Sequence, residues 1–334
     1  MFNKLYEEIK KYVKKEYKFI IILIITLLLF TIRLPYYIDM PGGIIDISDR
    51  IRIDNKNKLN GTLNFSYVSE TKATLPSLII AKINKNWDIL KKEEVLYDYT
   101  EDEMNFIDKL SMKESISNAQ YVAFKEANEN FKVENEKIYV TSIFKEAKTD
   151  LKIKDQIIKI DNIEIKQIED VKKINNYAPG TSVTITVINN NKEYKRTAEL
   201  ISYEGKTIIG VSIKEEYDIT SDHEINIKYN KKESGPSGGM MTALTVYSYL
   251  TDKDLTKGKT VAGTGTIDKE GNVGEIGGVK YKVIGAVKNK ADIFLVPNGE
   301  NYEEAIKIKS ENNYDIKIIG VSTLKDAINE LEKN

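Results

Sequence analysis

The chain has 334 residues, 41% hydrophobic and 30% charged, enough to bury a large core and to hold two or more domains. A formal net charge of −1 carries no signature of a nucleic-acid binder, and no nucleic-acid partner is expected. Cysteine is absent, so disulfides, Cys-ligated zinc and thiol catalysis are excluded; the single histidine, His223, lacks the second ligand of a His-Glu-x-x-His motif, and no Gly-x-x-x-x-Gly-Lys-Ser/Thr loop offers an ATP site, so neither metal nor cofactor is expected.

The N-terminus reads as a basic segment over residues 1–16 leading into "FIIILIITLLLFTI", Phe19 to Ile32. That run is shorter than the about 20 residues that cross a bilayer. Lys18 and Arg33 can snorkel, however, and Tyr17, Tyr36 and Tyr37 suit an interface, so residues 17–37 read as a transmembrane anchor. The run lacks the polar stripe of a buried core helix, and Arg33-Leu34-Pro35-Tyr36-Tyr37 is not the small-residue end of a cleaved signal. Lysines before the span (Lys4, Lys10, Lys11, Lys14, Lys15, Lys18) and acids after it (Asp39, Asp46, Asp49) imply a single pass through the cell membrane. The N-terminus would be cytoplasmic and everything after residue 37 extracellular.

Residues 38–130 read as an extracytoplasmic region of short strands, such as Leu63 to Val68 and Ser77 to Ala81, followed by a helix over 101–128. Met112, Ile116, Ala119, Ala123 and Ala127 recur there at spacings of three and four. From about residue 131 the pattern turns to β. Ile138 to Ile143 is a strand, "LKIKDQIIKIDNIEI" is two strand-like pieces around Asp161-Asn162, Ile168 to Tyr177 is a short amphipathic helix, Pro179-Gly180 is a turn, and "SVTITVI" alternates. This is a small barrel-like module. Residues 131–203 resemble a bacterial PDZ domain, through the likeness of "LKIKDQIIKIDNIEI" to that family's Leu-Lys-x-Gly-Asp-x-Ile-x-x-Ile-Asp-Gly segment, with Lys154 and Asn162 in place of glycines. The resemblance implies that a peptide adds as a strand beside Ile138, Tyr139 and Val140, with Val171 and Ile174 on the groove helix. The bland alternative is that these five residues are core.

After residue 216 the chain reads as α/β. The strand "EINIKYN" leads to Gly235-Pro236-Ser237-Gly238-Gly239, a Gly-x-Ser-x-Gly turn, and then to a helix from Gly238 to Leu250. Ser237 therefore sits beside a helix N-terminus, where free N–H groups of the Gly238-Gly239 stretch suit a developing oxyanion. A serine hydroxyl needs a base. No histidine follows Ser237, which excludes the α/β-hydrolase order and disfavours an esterase, and His223 lies in a polar loop. A desolvated lysine remains. Downstream, Lys280 and Lys282 open a helix near Val279, and helical periodicity does not choose between them.

Residues 216–331 resemble the proteolytic domain of Lon-type serine peptidases. The Gly-Pro-Ser-x-Gly motif is matched at 235–239, Thr-Gly-x-Ile at Thr264-Gly265-Thr266-Ile267, and Ile-Gly-Gly-hydrophobic-Lys-x-Lys at 276–282. The resemblance makes Lys282 the base and Thr264 its hydrogen-bond partner, and implies a homo-oligomer such as a hexamer. The expected whole is an α+β multidomain protein with a transmembrane helix, a PDZ-like β-barrel module and a Lon-type α/β domain. It would act as a membrane-anchored, ATP-independent serine endopeptidase on extracytoplasmic peptides or proteins. The rival is a non-catalytic PDZ binding scaffold with a degenerate protease domain, against which the intact Ser237 and Lys282 argue.

Overall fold

The computed structural model describes residues 2–54 and 59–334. The chain divides into a smaller unit, residues 1–42 and 68–98, and a larger one, residues 43–67 and 99–334.

The smaller unit corrects the membrane expectation. Its first helix, Phe2–Thr31, buries none of its residues and stops before the apolar run is complete. Pro35 forms a bend and Tyr36 begins a strand, Tyr36–Asp46, so the C-terminal end of the expected 17–37 span is not helical. The last 18 residues of the helix then include Lys14, Lys15, Glu16 and Lys18. Among the described residues no helix is long and apolar enough to cross a membrane. The transmembrane helix, the single-pass location and the extracellular assignment that followed from it are not supported. Within this unit, Tyr36 to Asp39 pair antiparallel with Asp88 to Lys91. The helix Leu75–Ile83 starts at a Thr74–Ser77 capping box with Pro76 in its first turn, and Ala81 on it joins Ile38 and Ala73 in a small core.

The larger unit contains a parallel sheet. Val261 to Gly263 pair on one side with Leu63 to Phe65 and on the other with Ile293 to Leu295, which pair in turn with Lys317 to Ile319. Both faces of such a sheet must be covered, and the side chains alternate accordingly. Leu63, Val261, Ile293, Leu295 and Ile319 join one core with the helices Glu101–Ala127, Gly239–Thr251 and Leu324–Lys333. Ala262, Phe294, Val296 and Ile318 join the other core with the helices Val279–Lys288 and Glu300–Glu311. Gly239–Thr251 is apolar nearly all round and is buried from Gly239 to Leu250.

A seven-stranded antiparallel sheet holds the region read as a module. Its path runs from Val211–Thr220 through Lys132–Ile143, Gln156–Ile160, Ser182–Asn189 and Lys192–Glu199 to Lys148–Thr149. No pairing among the described residues closes it into the expected barrel. Asn190 and Asn191, with φ of 49° and 59°, form the two-residue turn of a tight hairpin. The left-handed positions in the Leu151 to Ile165 segment fall at Lys154 (φ 75°) and Asp161 (φ 48°). The first of these is where the resemblance expects glycine, so a lysine carries the strained backbone there. The sheet is inserted between Glu101–Ala127 and the Ser237 turn. Its first and last strands lie side by side, from Lys132↔Thr220 to Ile143↔Val211. The last strand is tied to the long helix: Ser117 Oγ donates to the Tyr217 carbonyl at 2.5 Å, Tyr217 Oη donates to Asn118 Oδ1 at 2.5 Å, and Lys214 pairs with Glu114 at 2.5 Å.

One charge lies fully inside the inserted sheet. Asp155 has no exposed surface and accepts from Asn189 Nδ2 at 2.7 Å, Lys152 N–H at 2.8 Å and Arg196 Nε at 3.0 Å. Removing the cation would leave a buried carboxylate uncompensated, at a cost of about 3 kcal/mol or more. Arg196→Met is therefore expected to lower the unfolding free energy of the transition that reports on this sheet by that amount, seen as a lower urea midpoint. An unchanged midpoint would show that the pair is not a structural tie.

Candidate active site

The Ser237 turn is pinned one residue at a time. Gly235 takes φ 86°, a conformation that favours glycine, and its N–H donates to the Asp108 carbonyl at 3.1 Å. The Pro236 carbonyl accepts from Ser115 Oγ at 2.8 Å and from Gly239 N–H at 3.1 Å. The Ser237 carbonyl accepts from Gly265 N–H at 2.8 Å and from Thr264 Oγ1 at 3.2 Å. The Gly238 carbonyl accepts from Thr242, through its N–H at 3.0 Å and its Oγ1 at 2.9 Å. Asp108 and Ser115 stand on the long helix Glu101–Ala127, a contribution that apolar periodicity could not flag because a polar backbone partner and a hydroxyl make it.

These bonds decide which backbone donors remain for an oxyanion. The N–H of Gly239 is taken by Pro236 and that of Met240 by the Gly265 carbonyl at 3.1 Å. The N–H groups of Ser237 and Gly238 have no partner among the described residues. Gly239 thus belongs to the turn's own scaffold rather than to the donor pair. Its role is steric, since a Cβ there would lie 2.3 Å from Ser115 Oγ and 2.9 Å from Ile267 Cγ2. At Gly238 the nearest atom to such a Cβ would be in the Phe65 ring at 3.7 Å, an ordinary contact.

Thr264 immediately follows the parallel-sheet strand Thr260–Gly263, which fixes its backbone, and its N–H donates to the Leu295 carbonyl at 3.0 Å. Gly278, at φ 71°, precedes the helix Val279–Lys288, and Lys282 N–H donates to the Gly278 carbonyl at 3.2 Å. Lys282 is 4% exposed, on a helix whose Val279, Val283 and Ala286 are fully buried. Its Nζ donates to Thr264 Oγ1 at 3.1 Å. Loss of solvent, with no compensating anion, lowers the ammonium pKa from 10.5 to about 8. Thr264 has one hydroxyl proton, which it donates to the Ser237 carbonyl, so it can only accept from Lys282. Lys282 and Ser237 are joined through Thr264, and no direct hydrogen bond links their side chains. Lys280, two residues earlier, is only half-buried and lies over the Tyr281 ring. Periodicity leaves the two lysines alike, and depth in the sheet–helix sandwich separates them.

His223 is brought to a different place. Its Nδ1 lies 2.5 Å from Asp54 Oδ2 and its Nε2 3.5 Å from Glu129 Oε2, and the Asp54 contact above all holds its pKa above the ordinary value. Neither contact involves Ser237.

The expected peptide groove is corrected. The strand Lys132–Ile143 has neighbours on both edges: Ile138 faces Glu215 on one side and Ile157 on the other, and Tyr139 faces Lys214 and Gln156. No peptide can add beside it at these residues. Ile138, Val140, Val171 and Ile174 are buried in the module's core, and Tyr139 packs edge-on against Phe106 at 5.5 Å. A β-rich run identifies a strand but not its neighbours, and the end strand of this sheet is Val211–Thr220.

Residues 209–333 match the family model of the Lon protease (S16) C-terminal proteolytic domain. The Lon protease of Campylobacter jejuni subsp. jejuni is 38% identical over 97 residues, 29% of this chain and 12% of that protein. The Lon protease of Campylobacter concisus is 38% identical over 96 residues, again 29% and 12%. The chain thus spans a small part of the length of the curated relatives it matches. Among solved structures, the PDZ domain of the SdrC-like protein from Listeria monocytogenes is 22% identical. It covers 25% of this chain and 92% of its own, with a TM-score of 0.22. Over residues 209–333 the chain is thus similar to the proteolytic domain of Lon-type serine peptidases.

The two glycines after Ser237 should behave differently. Gly239→Ala must push Ser115 or Ile267 aside and is expected to cut peptide turnover by about 100-fold or more. Gly238→Ala is expected to stay within about threefold of wild type. Steady-state turnover of a fluorogenic peptide by both variants checks this, and equal losses would contradict the steric assignment.

Proposed function

We propose that the chain is an ATP-independent serine endopeptidase that cleaves peptides or proteins with a Ser237–Lys282 dyad. The observation that carries this reading is the burial of Lys282 against Thr264, whose hydroxyl is in turn committed to the Ser237 carbonyl. An ammonium cannot accept a proton, and at an ordinary lysine pKa almost none would be neutral near pH 7. A pKa near 8 leaves about a tenth of the lysine in the basic form there.

In this reading neutral Lys282 takes the Ser237 proton as Oγ attacks the scissile carbonyl carbon. The oxygen becomes an oxyanion, met by the N–H groups of Ser237 and Gly238. Collapse breaks the C–N bond, and Lys282 returns the proton to the leaving amine. The acyl group stays on Ser237. Lys282, neutral again, then takes a proton from water as that water attacks the ester; collapse breaks the acyl–Oγ bond, Lys282 returns the proton to Ser237 Oγ, and the acid product leaves. Thr264 orients the lysine throughout by accepting one of its N–H bonds. Gly265 and Thr264 together hold the serine backbone still.

The scaffold reading explains less. A lysine whose pKa falls from 10.5 to about 8 destabilises the fold by about 3 kcal/mol at neutral pH. A non-catalytic scaffold gains nothing from keeping it.

Two outcomes follow. Activity should rise with pH through about 8, as Lys282 loses its proton. Lys282→Arg should be inactive because arginine stays charged, while His223→Ala should keep most of its turnover. A dead His223→Ala beside an active Lys282→Ala would overturn the dyad. The second outcome concerns stability. Between about pH 8 and 10.5 the unfolded chain holds a proton on Lys282 that the folded chain lacks, so stability rises with pH across that window. Lys282→Met should therefore stabilise the protein at pH 7 by about 2 kcal/mol, after loss of the Thr264 hydrogen bond. The gain should shrink toward pH 10.5. Urea unfolding at pH 7 and pH 10 measures both, and a destabilised Lys282→Met at pH 7 would contradict the depressed pKa.

A further inference from the structure

Besides Asp108 and Ser115, a further attachment reaches the Ser237 turn from far away in sequence. Arg50 lies just before the strand Ile51–Ile53 and forms an ion pair with Glu233, four residues ahead of Ser237; both side chains are 21% exposed. The Glu233 carboxylate also accepts the Asn230 N–H at 3.0 Å, which closes the loop on itself. The same guanidinium lies over two rings, Phe65 at 5.6 Å and Tyr229 at 5.9 Å. The Arg50 carbonyl accepts the Lys228 N–H at 2.9 Å, so its backbone is fixed to the strand that leads into the loop.

Each of these partners touches the turn from a different side. Glu233 holds the approach. Phe65 is the ring against Gly238. Tyr229 Oη lies 2.7 Å from Thr242 Oγ1, whose own proton goes to the Gly238 carbonyl, so Tyr229 is the donor of that pair. The turn has no apolar side chain of its own between Gly235 and Gly239 except Pro236. Its position therefore depends on what grips its flanks, and a single cation links the grips on both flanks.

We propose that Arg50 is a positioning residue for Ser237: paired with Glu233 and laid over Phe65 and Tyr229, it sets the turn so that the serine hydroxyl comes within reach of Lys282. This rests on Ser237 being the nucleophile. An ion pair with no such duty would contribute nothing to the chemical step.

The test uses the full chain, a fluorogenic peptide, and the variants Arg50→Gln, Glu233→Gln and Arg50→Lys beside wild type and Ser237→Ala. Arg50→Gln and Glu233→Gln should each lower kcat by about 10- to 100-fold with KM within about twofold, the signature of a misplaced reacting group. The pH midpoint of the rate should stay that of wild type, because Lys282 is untouched. Arg50→Lys keeps the charge without the planar guanidinium and should recover part of the loss. Melting curves recorded in parallel should show all variants folded at the assay temperature. Arg50→Gln with wild-type kcat, a loss that merely follows the unfolded fraction, or a shifted pH midpoint would overturn the proposal. Wild-type protein without Ser237-dependent turnover would instead remove the reading beneath it, and the proposal with it.

Discussion

A single threonine hydroxyl holds the candidate site together. Thr264 accepts from the buried Lys282 ammonium nitrogen and donates to the carbonyl of Ser237, so the two expected reacting residues are referenced to one atom. That atom follows a strand in the middle of a parallel sheet, paired on both sides and covered by helices on both faces. The carboxyl ends of parallel strands are where α/β sheets place their sites. Rigidity comes from the sheet, the low dielectric comes from the helix Val279–Lys288, and together they make a lysine that can be a base.

The second constraint is the turn that carries Ser237. Among the described residues the carbonyls of Pro236, Ser237 and Gly238 and the N–H of Gly239 are all engaged, while the N–H groups of Ser237 and Gly238 are not. The division is enforced from outside the C-terminal segment. Asp108 and Ser115 on the long helix, Phe65 on a sheet strand and Arg50 just before the strand Ile51–Ile53 all precede the inserted seven-stranded sheet in the chain. Residues 209–333 match the Lon proteolytic family, but the site is assembled with residues from before the insertion as well.

Much of this was legible in the residues. The long helix is read over 101–128 and found at Glu101–Ala127, because its apolar residues recur at helical spacing. The Ser237 turn, its following helix and the two downstream glycine-rich segments carry motifs that announce themselves. Other features were not legible, for physical reasons. Lys280 and Lys282 have apolar helical neighbours alike, and only the sheet beneath the helix buries one and leaves the other half in solvent. Ile138 to Ile143 has the composition of a strand, but composition does not say whether an edge is free, and at Ile138 and Tyr139 both edges are paired. The apolar run from Phe19 looked long enough for a bilayer only if helix continued past Thr31, and Pro35 with the strand from Tyr36 ends that possibility. Arg50 stands in a short, charged, unremarkable stretch, and nothing local marks it as the partner of a loop 183 residues away.

The account depends most directly on the protonation of one side chain. Lysine labelled at Cε with carbon-13 gives an NMR resonance whose shift follows the ammonium, and Lys282→Met identifies the signal by its loss. The account predicts a midpoint near pH 8 for that resonance, well below the ordinary lysine value of 10.5. A Lys282 signal titrating above pH 10 would mean that the lysine is an ordinary cation at working pH, and the Ser237–Lys282 dyad would fall.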